Sequence, residues 1–310
     1  VLMGGGHIVV SVCEYLKQKK INFVIFTTKE KLETKIIGKK YTLKSFFYHN
    51  NIDYNVVNKS ADLSKRKYKI FFSKQYNTIG YSISFDFKIK EVEIKLFKNQ
   101  LYNIHGSYLP DMRGAGGFTW NILMQKYSGG VTVHKLTKKI DEGDILLQRK
   151  YIFPKNVRYS LQKMIEYGAR HENKMGKEFV KMILNKKKMK LKKQLNINAN
   201  SWGRLDTYKQ AWINWDWDIK DILTFIQAFS KPYCGASTFL QNKRVFIYQA
   251  KIIKSKLKFH PFQYGMIFKI DKKYIFDACN KGGLKILDFK FSGSNKNIDF
   301  FLNKKFKNKI

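Results

Sequence analysis

An amide, an imidazole and a carboxylate in the middle of the chain are the residue types needed for proton transfer and for stabilising negative charge. Asn103 and His105 end a short apolar run, residues 101–105, and a Gly/Ser/Pro loop follows. Residues two apart in a β-strand share a face, so both side chains would point the same way. At the carboxyl end of a strand in an open α/β sheet, that direction leads to the usual ligand crevice. Taken alone, the pattern fits an ordinary loop with a surface histidine equally well.

Asp141 completes the candidate group, 36 residues after His105. That separation is about the length of one strand–helix–strand excursion, so the chain can bring Asp141 back to the same crevice. An Asn offers a neutral N–H to a developing oxyanion, a His transfers protons, and an Asp orients the imidazole or accepts a proton from an amine. No Ser or Cys lies in a recognisable nucleophile elbow, which favours direct transfer between two bound substrates over a covalent enzyme intermediate.

The elements that must position these residues follow from hydrophobic periodicity. A strand at residues 1–3, a glycine turn and a helix through Leu16 open the chain. Further strands are predicted at residues 22–27, 52–57, 77–85, 101–105, 131–136 and 145–148. Helices are predicted at residues 29–36, 89–97, 118–125 and 159–184. Alternating strands and helices predict an α/β fold with a parallel sheet covered on both faces.

The texture of the sequence changes near residue 200. A lysine run at residues 185–194 is predicted to form a solvated turn, and residues 196–202 a polar linker. A helix is then predicted at residues 219–229, followed by strands at residues 236–240, 244–252, 265–269, 273–279 and 283–291. This β-rich segment indicates a small barrel. We therefore expect one domain over residues 1–200 and a second over residues 201–310.

Composition narrows the class of protein. The chain has 310 residues, 44% of them hydrophobic and 15% aromatic, which argues against disorder. No apolar run approaches the roughly 20 residues that span a bilayer, and no secretory leader is visible. Three scattered cysteines, Cys13, Cys234 and Cys279, lack metal-type spacing. A sparse, odd set is typical of a reduced cytoplasmic protein without disulfides or a metal site.

The formal net charge of +37 raises the question of nucleic-acid binding. Only seven of the 60 basic residues are arginines. Surfaces that read bases or clamp phosphates favour Arg because of its bidentate fork, so the lysine excess indicates a coding bias more than a nucleic-acid surface. Attraction to anionic substrates is still expected.

Four motifs, in order, resemble those of formyltransferases that use N10-formyltetrahydrofolate: residues 103–110, 113–115, 130–134 and 141–146. The resemblance implies that Asn103, His105 and Asp141 are the catalytic trio and that no metal takes part. It also implies a Rossmann-like, mostly parallel sheet, followed by a small β-rich OB-like C-terminal barrel that includes residues 265–293.

The same resemblance assigns binding residues. For the folate co-substrate it implies Tyr81, Ile83, Ser84, Phe85, Asp86, Phe87, Arg113, Gly114 and Asp144. For the acceptor it implies Gly5, His7, Tyr108, Pro110, Met112 and Trp120.

Residues 116–120 and 214–217 are more similar to formyltransferases acting on nucleotide-linked amino sugars than to those acting on methionyl-tRNA. A dTDP-4-amino-4,6-dideoxyhexose is the first expectation, with UDP- or GDP-linked sugars as alternatives. The family also implies a homodimer through the C-terminal region. Two alternatives stay open: a methionyl-tRNA formyltransferase, with tRNA as partner, and a nucleic-acid-binding protein that has lost the activity.

Overall fold

The computed structural model describes residues 1–73, 77–195, 199–253, 257–271, 273–293 and 301–309. Helices occupy α1 (His7–Gln18), α2 (Lys29–Glu33), α3 (Leu43–His49), α4 (Glu91–Leu96), α5 (Gly117–Leu123), α6 (Leu161–Leu184), α7 (Thr207–Gln210) and α8 (Ile219–Ala228). Short 3₁₀ helices lie at Ser60–Ser64, Arg66–Phe72 and Pro261–Gln263.

Strands β1 to β8 are Leu2–Gly4, Ile25–Thr27, Asn55–Val56, Gly80–Ile83, Leu101–His105, Arg113–Gly114, Ser128–Lys135 and Ile145–Ile152. Strands β9 to β15 are Ser201–Trp202, Ala236–Leu240, Lys243–Ile252, Ile267–Asp271, Tyr274–Cys279, Gly282–Phe291 and Phe306–Lys307.

The described chain divides into two compact units, each assembled from separated segments. The first contains Val1–Gly114, Ser128–Ile152 and Glu166–Trp202. The second contains Ala115–Tyr127, Phe153–Ile165 and Gly203–Ile310. These interleaved units do not test whether residues 1–200 and 201–310 fold independently. The division into two domains near residue 200 therefore stays a prediction.

In the first unit a sheet runs in the order β3-β2-β1-β4-β5-β7-β8. Its first five strands are parallel, as the alternation of strands and helices predicts, and the α/β class is confirmed. The sheet is mostly parallel, as the resemblance implies; the exceptions lie at one edge, where β5 pairs antiparallel with β7 and β7 with β8. The connection between β7 and β8 is short, which suits a hairpin, whereas a parallel crossover needs a dozen or more residues.

Both faces of this sheet are buried. On one face Met3, Phe26 and Leu101 pack in a cluster with Ile94 and Phe97, which lie in or just after α4. On the other face Tyr81 and Tyr102 contact Phe179 of α6, with ring centroids 4.6 and 5.2 Å apart. Residues of β5 alternate between these faces, so Asn103 and His105 share the side of Leu101.

The second unit contains an antiparallel sheet in the order β12-β13-β14-β11-β10-β15. It curls into a half-barrel, and each strand of the C-terminal segment that the sequence predicts is present within a few residues. The β-rich C-terminal barrel is thereby confirmed in outline, while its assignment as an OB fold stays a prediction. Helix α8 packs on this sheet against β11 and begins at Asp218, whose carboxylate accepts from the N–H of Lys220.

Some elements were not expected from the sequence. Helix α3 begins at Thr42, whose hydroxyl accepts from the N–H of Ser45, and its aromatic pattern is too short to give a clear helical period. In the segment expected to be a solvated turn, Lys192 forms a two-way backbone bridge with Ile145. Of the expected linker, residues 196–198 lie outside the described residues, and Ser201–Trp202 pairs with Arg113–Gly114.

Gly4 is the last residue of β1, before the turn that leads into α1. Its substitution tests how closely β1 packs against β4 at this point. Its φ is +114°, and an added Cβ would lie 1.9 Å from the carbonyl oxygen of Ile83. We predict that Gly4→Ala lowers the free energy of unfolding by about 3 kcal/mol, because the backbone of β4 must move. Gly38→Ala is the matched control: Gly38 has a φ of +72° but nothing within 4 Å of the new Cβ. It should cost only about 1 kcal/mol, from the backbone conformation alone. Urea unfolding measures both; equal losses would contradict the steric argument.

Candidate active site

Strand β5 brings the amide and the imidazole to the carboxyl end of the sheet. Three of its five residues, Leu101, Tyr102 and Ile104, are buried in the cores on the two faces of the sheet, and their burial holds the strand in place. Asn103 pairs in register with Ser82 of β4 on one side and with His134 of β7 on the other. Because directly opposed residues on antiparallel strands share a face, His134 stands beside Asn103.

The loop after β7 returns Asp141 to this pair. Asp141 is 8% exposed; its Oδ2 accepts from the backbone N–H of Gly114 at 3.0 Å and lies 3.5 Å from Nδ1 of His105. The other oxygen, Oδ1, lies 3.4 Å from Nε2 of His134. The structure thus brings together the three side chains that the sequence singles out and adds His134 to them. Their catalytic roles stay a prediction.

Burial alone would raise the pKa of Asp141, since it penalises the charged form. The contact with His134, the charge of His105 and the Gly114 N–H act in the opposite direction and outweigh it. The pKa of this carboxyl therefore lies below its ordinary value. Near neutral pH the site contains a buried carboxylate, not a carboxylic acid.

Hydrogen bonding fixes which nitrogen of each imidazole carries a proton. Nε2 of His105 lies 2.7 Å from the carbonyl oxygen of Met112, which can only accept, so this nitrogen donates. In neutral His105 the free lone pair is therefore on Nδ1, and an added proton would lie between the ring and Asp141. Nδ1 of His134 lies 3.0 Å from the carbonyl of Lys135 and donates to it. Its Nε2 lies 3.2 Å from the Asn103 amide and 3.4 Å from Oδ1 of Asp141, so it accepts from Asn103 when the ring is neutral and donates to Asp141 when the ring carries a second proton.

The loop after β5 is fastened by residues that sequence reasoning missed. The Thr132 hydroxyl donates to the carbonyl of Ser107 at 2.8 Å and accepts from the N–H of Leu109 at 3.3 Å. Gln148 donates to the carbonyl of Leu109 at 2.6 Å. Both anchors are polar residues on β7 and β8, in the strands that the sequence predicts at residues 131–136 and 145–148. Polar residues on one face of a buried strand are the signal that could have identified them.

A cavity of about 180 Å³ opens beside this group. Asn103, His134 and Asp141 line one part of it, and an apolar wall lines another part. The wall includes Phe85 and Phe87, whose rings meet edge to face at 5.6 Å. The remaining lining residues are Ser82, Lys88, Ile89, Leu136, Thr137, Lys138, Lys139 and Ile140.

Other residues predicted to bind folate lie elsewhere in the first unit. Asp86 accepts from Thr28 at 2.5 Å and pairs with Lys31 at 3.1 Å, so its carboxylate is engaged with α2. Tyr81 faces α6, and burial followed by the charge of Glu172 raises its pKa. Ile83 is fully buried and its carbonyl accepts from Gly5, while Ser84 adopts a φ of +50°.

The remaining predicted folate-binding residues surround Asp141. Arg113 is 7% exposed, and its guanidinium donates to Gln194. Gly114 donates to Asp141, as described above, and the carbonyl of Asp144 accepts from Lys135 at 2.8 Å.

The residues predicted to bind the acceptor lie at four separate places. His7 contacts Glu172 of α6 at 2.9 Å, next to Gly5 in the glycine turn. Tyr108 and Pro110 line a second cavity of about 250 Å³, together with Leu109, Asp111, Ile145, Gln148, Lys192, Lys193, Gln194 and Leu195. Met112 holds His105 through its carbonyl. Trp120 belongs to the second unit, where its indole N–H donates to Gly203 at 3.2 Å.

In the described part of the chain the three cysteines are free, and Cys13 and Cys279 are buried. No group of three or more His, Cys, Asp or Glu side chains there could hold a metal ion. Burial raises the pKa of the Cys13 and Cys279 thiols, so neither is a poised nucleophile. In the same described residues, no helix is both long and apolar enough to cross a membrane.

Comparison with known families gives the site its context. Residues 89–190 match the family described as "Formyl transferase", and residues 207–305 match "Formyl transferase, C-terminal domain". Together the two matches cover about two thirds of the chain and include the whole group around Asp141. The chain belongs to the formyl transferase family. It is therefore an enzyme, as the sequence predicts.

Among curated relatives, the chain is similar to the bifunctional polymyxin resistance protein ArnA of Wigglesworthia glossinidia brevipalpis. The two are 31% identical over 268 residues, which is 83% of this chain and 36% of that protein. The chain thus spans about a third of the length of ArnA. It is also 26% identical over 227 residues to the methionyl-tRNA formyltransferase of Coprothermobacter proteolyticus, covering 73% of this chain and 70% of that one.

Two solved formyltransferase structures share the fold over nearly the whole chain. One is WlaRD, a sugar 3N-formyltransferase crystallised with dTDP and 5-N-formyl-THF: TM-score 0.69, 21% identity, 92% of this chain and 95% of that chain covered. The other is an N-formyltransferase from Helicobacter canadensis in complex with folinic acid and dTDP-3-aminofucose: TM-score 0.70, 18% identity, 93% and 98% covered.

The buried carboxylate predicts a pH dependence of stability. Because the pKa of Asp141 is lower in the folded state, its ionisation stabilises the fold above the unfolded value of about 3.9, and this contribution is lost as the pH falls through the folded pKa. The difference in unfolding free energy between wild type and Asp141→Asn should be constant near neutral pH and shrink below about pH 4. Asp53→Asn, at an exposed position, controls for the change in net charge. A wild-type-minus-Asp141→Asn difference that is flat down to about pH 2.5 in denaturant titrations would contradict the lowered pKa.

Proposed function

We propose that this enzyme transfers a formyl group from N10-formyltetrahydrofolate to the amino group of a nucleotide-linked amino sugar. The observation that carries the proposal is the group formed by the half-buried Asn103 and His105 and the buried His134 and Asp141, beside a cavity whose wall includes two aromatic rings. The product would be an N-formylated sugar for O-antigen, lipopolysaccharide or another surface glycan. A cytoplasmic location fits such a step.

The residues present fit a folate co-substrate. A flat pterin ring needs an apolar slot with a few polar groups at one end, and the cavity wall formed by Phe85 and Phe87 has that character. Lys88, Lys138 and Lys139 line the same cavity and could attract the anionic glutamate tail. When bound, formyl-folate supplies the formyl group to be transferred.

The chain's own groups can then stabilise charge and move a proton. The Asn103 amide donates to the oxygen on which negative charge develops, and it is held ready by strand β5. Asp141, ionised and buried, accepts a proton from the attacking amine, directly or through water. A proton received by Nδ1 of His105 stays within reach of Asp141 and can be passed on to the departing nitrogen. Rate enhancement comes mainly from holding two substrates together in a preorganised site.

A sugar acceptor is supported by the similarity to WlaRD and to the Helicobacter canadensis enzyme over almost the full chain. We keep a dTDP-4-amino-4,6-dideoxyhexose as the first expectation, with UDP- and GDP-linked sugars as alternatives. Both structural relatives are named for 3-amino sugars, so the position of the amine is part of the test. A homodimer formed through the C-terminal region remains part of this proposal.

Methionyl-tRNA is the second candidate acceptor. The net charge of +37 and the relative from Coprothermobacter proteolyticus favour it. Binding to tRNA through phosphate contacts would weaken steeply with salt. If tRNA binding weakens steeply with salt and the enzyme formylates charged initiator tRNA, methionyl-tRNA replaces the amino sugar as the acceptor.

The catalytic roles predict specific losses of rate. Asn103→Ala, His105→Ala and Asp141→Asn should each lower kcat by about 10²- to 10⁴-fold, because each removes an oxyanion donor or a proton-transfer group. Circular dichroism and thermal unfolding establish that each variant is folded. His49→Ala, at an exposed histidine, is the matched control and should keep the wild-type rate. Wild-type rates in His105→Ala would eliminate this mechanism.

The acceptor is tested with a panel. The enzyme and N10-formyltetrahydrofolate are incubated with dTDP-, UDP- and GDP-linked 3-amino and 4-amino sugars, and mass spectrometry follows the gain of one formyl group. We expect one dTDP-linked sugar to exceed the others by at least about tenfold in kcat/KM, since even a one-methylene difference in pocket contacts separates substrates by this ratio. Formate release without any acceptor would instead indicate a formyl-folate hydrolase.

A further inference from the structure

The lysine run ends in Gln194, whose side-chain amide contacts the residues around Asp141. Gln194 lies at the end of a segment whose Lys192 bridges Ile145 of β8, so its backbone is fixed against the sheet. Its Oε1 accepts from both Nε and Nη2 of Arg113, at 3.2 and 2.9 Å. Its Nε2 donates to the carbonyls of Asp141 and Gly143, at 2.8 and 2.7 Å.

This arrangement uses the full hydrogen-bonding capacity of the amide. A glutamine amide has two N–H donors and one oxygen with two lone pairs. Here the guanidinium can only donate and the two carbonyls can only accept, so only one orientation of the amide satisfies all four contacts. Such a site distinguishes Gln from Glu, which has no donor, and from Met, which is similar in length but forms no such bonds.

The segment to which Gln194 donates, residues 141–143, has a backbone conformation that few residues adopt. Asp141 has a φ of +54°, in the left-handed region that residues with a side chain rarely occupy. At Gly143 an added Cβ would lie 1.7 Å from the carbonyl of Lys135, so the loop is pressed against the end of β7. Gln194 holds the carbonyls at both of these positions, one on each side of Glu142.

The contacts close a ring around the candidate catalytic carboxylate. Gln194 ties Arg113 to the backbone of Asp141, and the residue after Arg113, Gly114, donates its N–H to the Asp141 side chain. Arg113 also lies 3.7 Å from the carboxylate of Glu142. The backbone carbonyl and the side chain of Asp141 are thus both held in place relative to strand β6.

We propose that Gln194 is a positioning residue for Asp141: it holds the backbone of residues 141–143 so that the carboxylate faces His105 and His134. The proposal rests on the formyl-transfer function for its kinetic consequence. In this role Gln194 touches neither substrate and acts through Asp141.

Two variants separate this role from simple anchoring of Arg113. Gln194→Glu keeps an oxygen for Arg113 but replaces both donations to the loop with repulsion between oxygens. Gln194→Met removes every contact. If Gln194 positions Asp141, Gln194→Glu lowers kcat by about 10- to 100-fold, since small displacements of a catalytic group have effects of this size. The KM for formyl-folate should change less than about twofold, because Arg113 keeps its partner.

A matched control comes from the same segment. Lys190→Gln changes the net charge by the same one unit as Gln194→Glu, at an exposed position. It should retain the wild-type kcat. If Gln194→Glu also retains it and only Gln194→Met is impaired, Gln194 serves Arg113 alone and the proposal is overturned.

A measurement without substrates keeps this test independent of the acceptor. With carboxyl-¹³C aspartate incorporated, and Asp141 assigned through Asp141→Asn, titration of the free protein follows the Asp141 carboxyl. Loosening the Gly114 and His134 contacts should raise its pKa in Gln194→Met, where no new charge is introduced. An unchanged Asp141 titration in a folded Gln194→Met protein overturns the proposal. A raised value supports it even if no amino sugar is formylated, in which case the proposed function falls by itself. Should Gln194→Met not fold, the same titration of Gln194→Ala, which also introduces no charge, decides.

Discussion

The burial of one negative charge, the Asp141 carboxylate, is the constraint on which the site depends. Moving a carboxylate out of water costs several kcal/mol unless hydrogen bonds and opposite charge compensate. Compensation here comes from Gly114, His105 and His134, which lie on three separate segments of the first unit. The carboxylate is therefore stable only when these segments have reached their native positions, so the chemistry and the fold are assembled by the same contacts.

Local signals in the sequence were sufficient for the part of the site that lies on one strand. The run 101–105 has the period of two that defines a strand, and it is observed as β5 with the same bounds. The direction of β7 was not accessible in this way, because antiparallel pairing with β5 is a choice between distant segments. That choice sets His134 beside Asn103. In the sequence, His134 belongs to a strand with no purely apolar face and reads as a structural residue.

The features of the site that the sequence did not predict depend on contacts between residues that are far apart in the chain. Gln194 is separated from Arg113 by 81 residues and from Asp141 by 53, and it follows lysines whose number suggests only solvent exposure. Asp86 is a second case. The family resemblance implies a role for it in the folate pocket, which stays a prediction, and its carboxylate contacts Thr28 and Lys31, which no local pattern links to it.

Strand β7 serves two tasks with alternate residues. His134 faces the amide of β5, while Thr132 fastens the main chain of the loop that carries Tyr108 and Pro110. Side chains in this loop can therefore be exchanged without altering how its backbone is attached. For enzyme engineering, this means that new acceptors are best sought by varying Tyr108, Pro110 and Asp111 on an unchanged β7, so that selectivity evolves while the transfer chemistry is inherited.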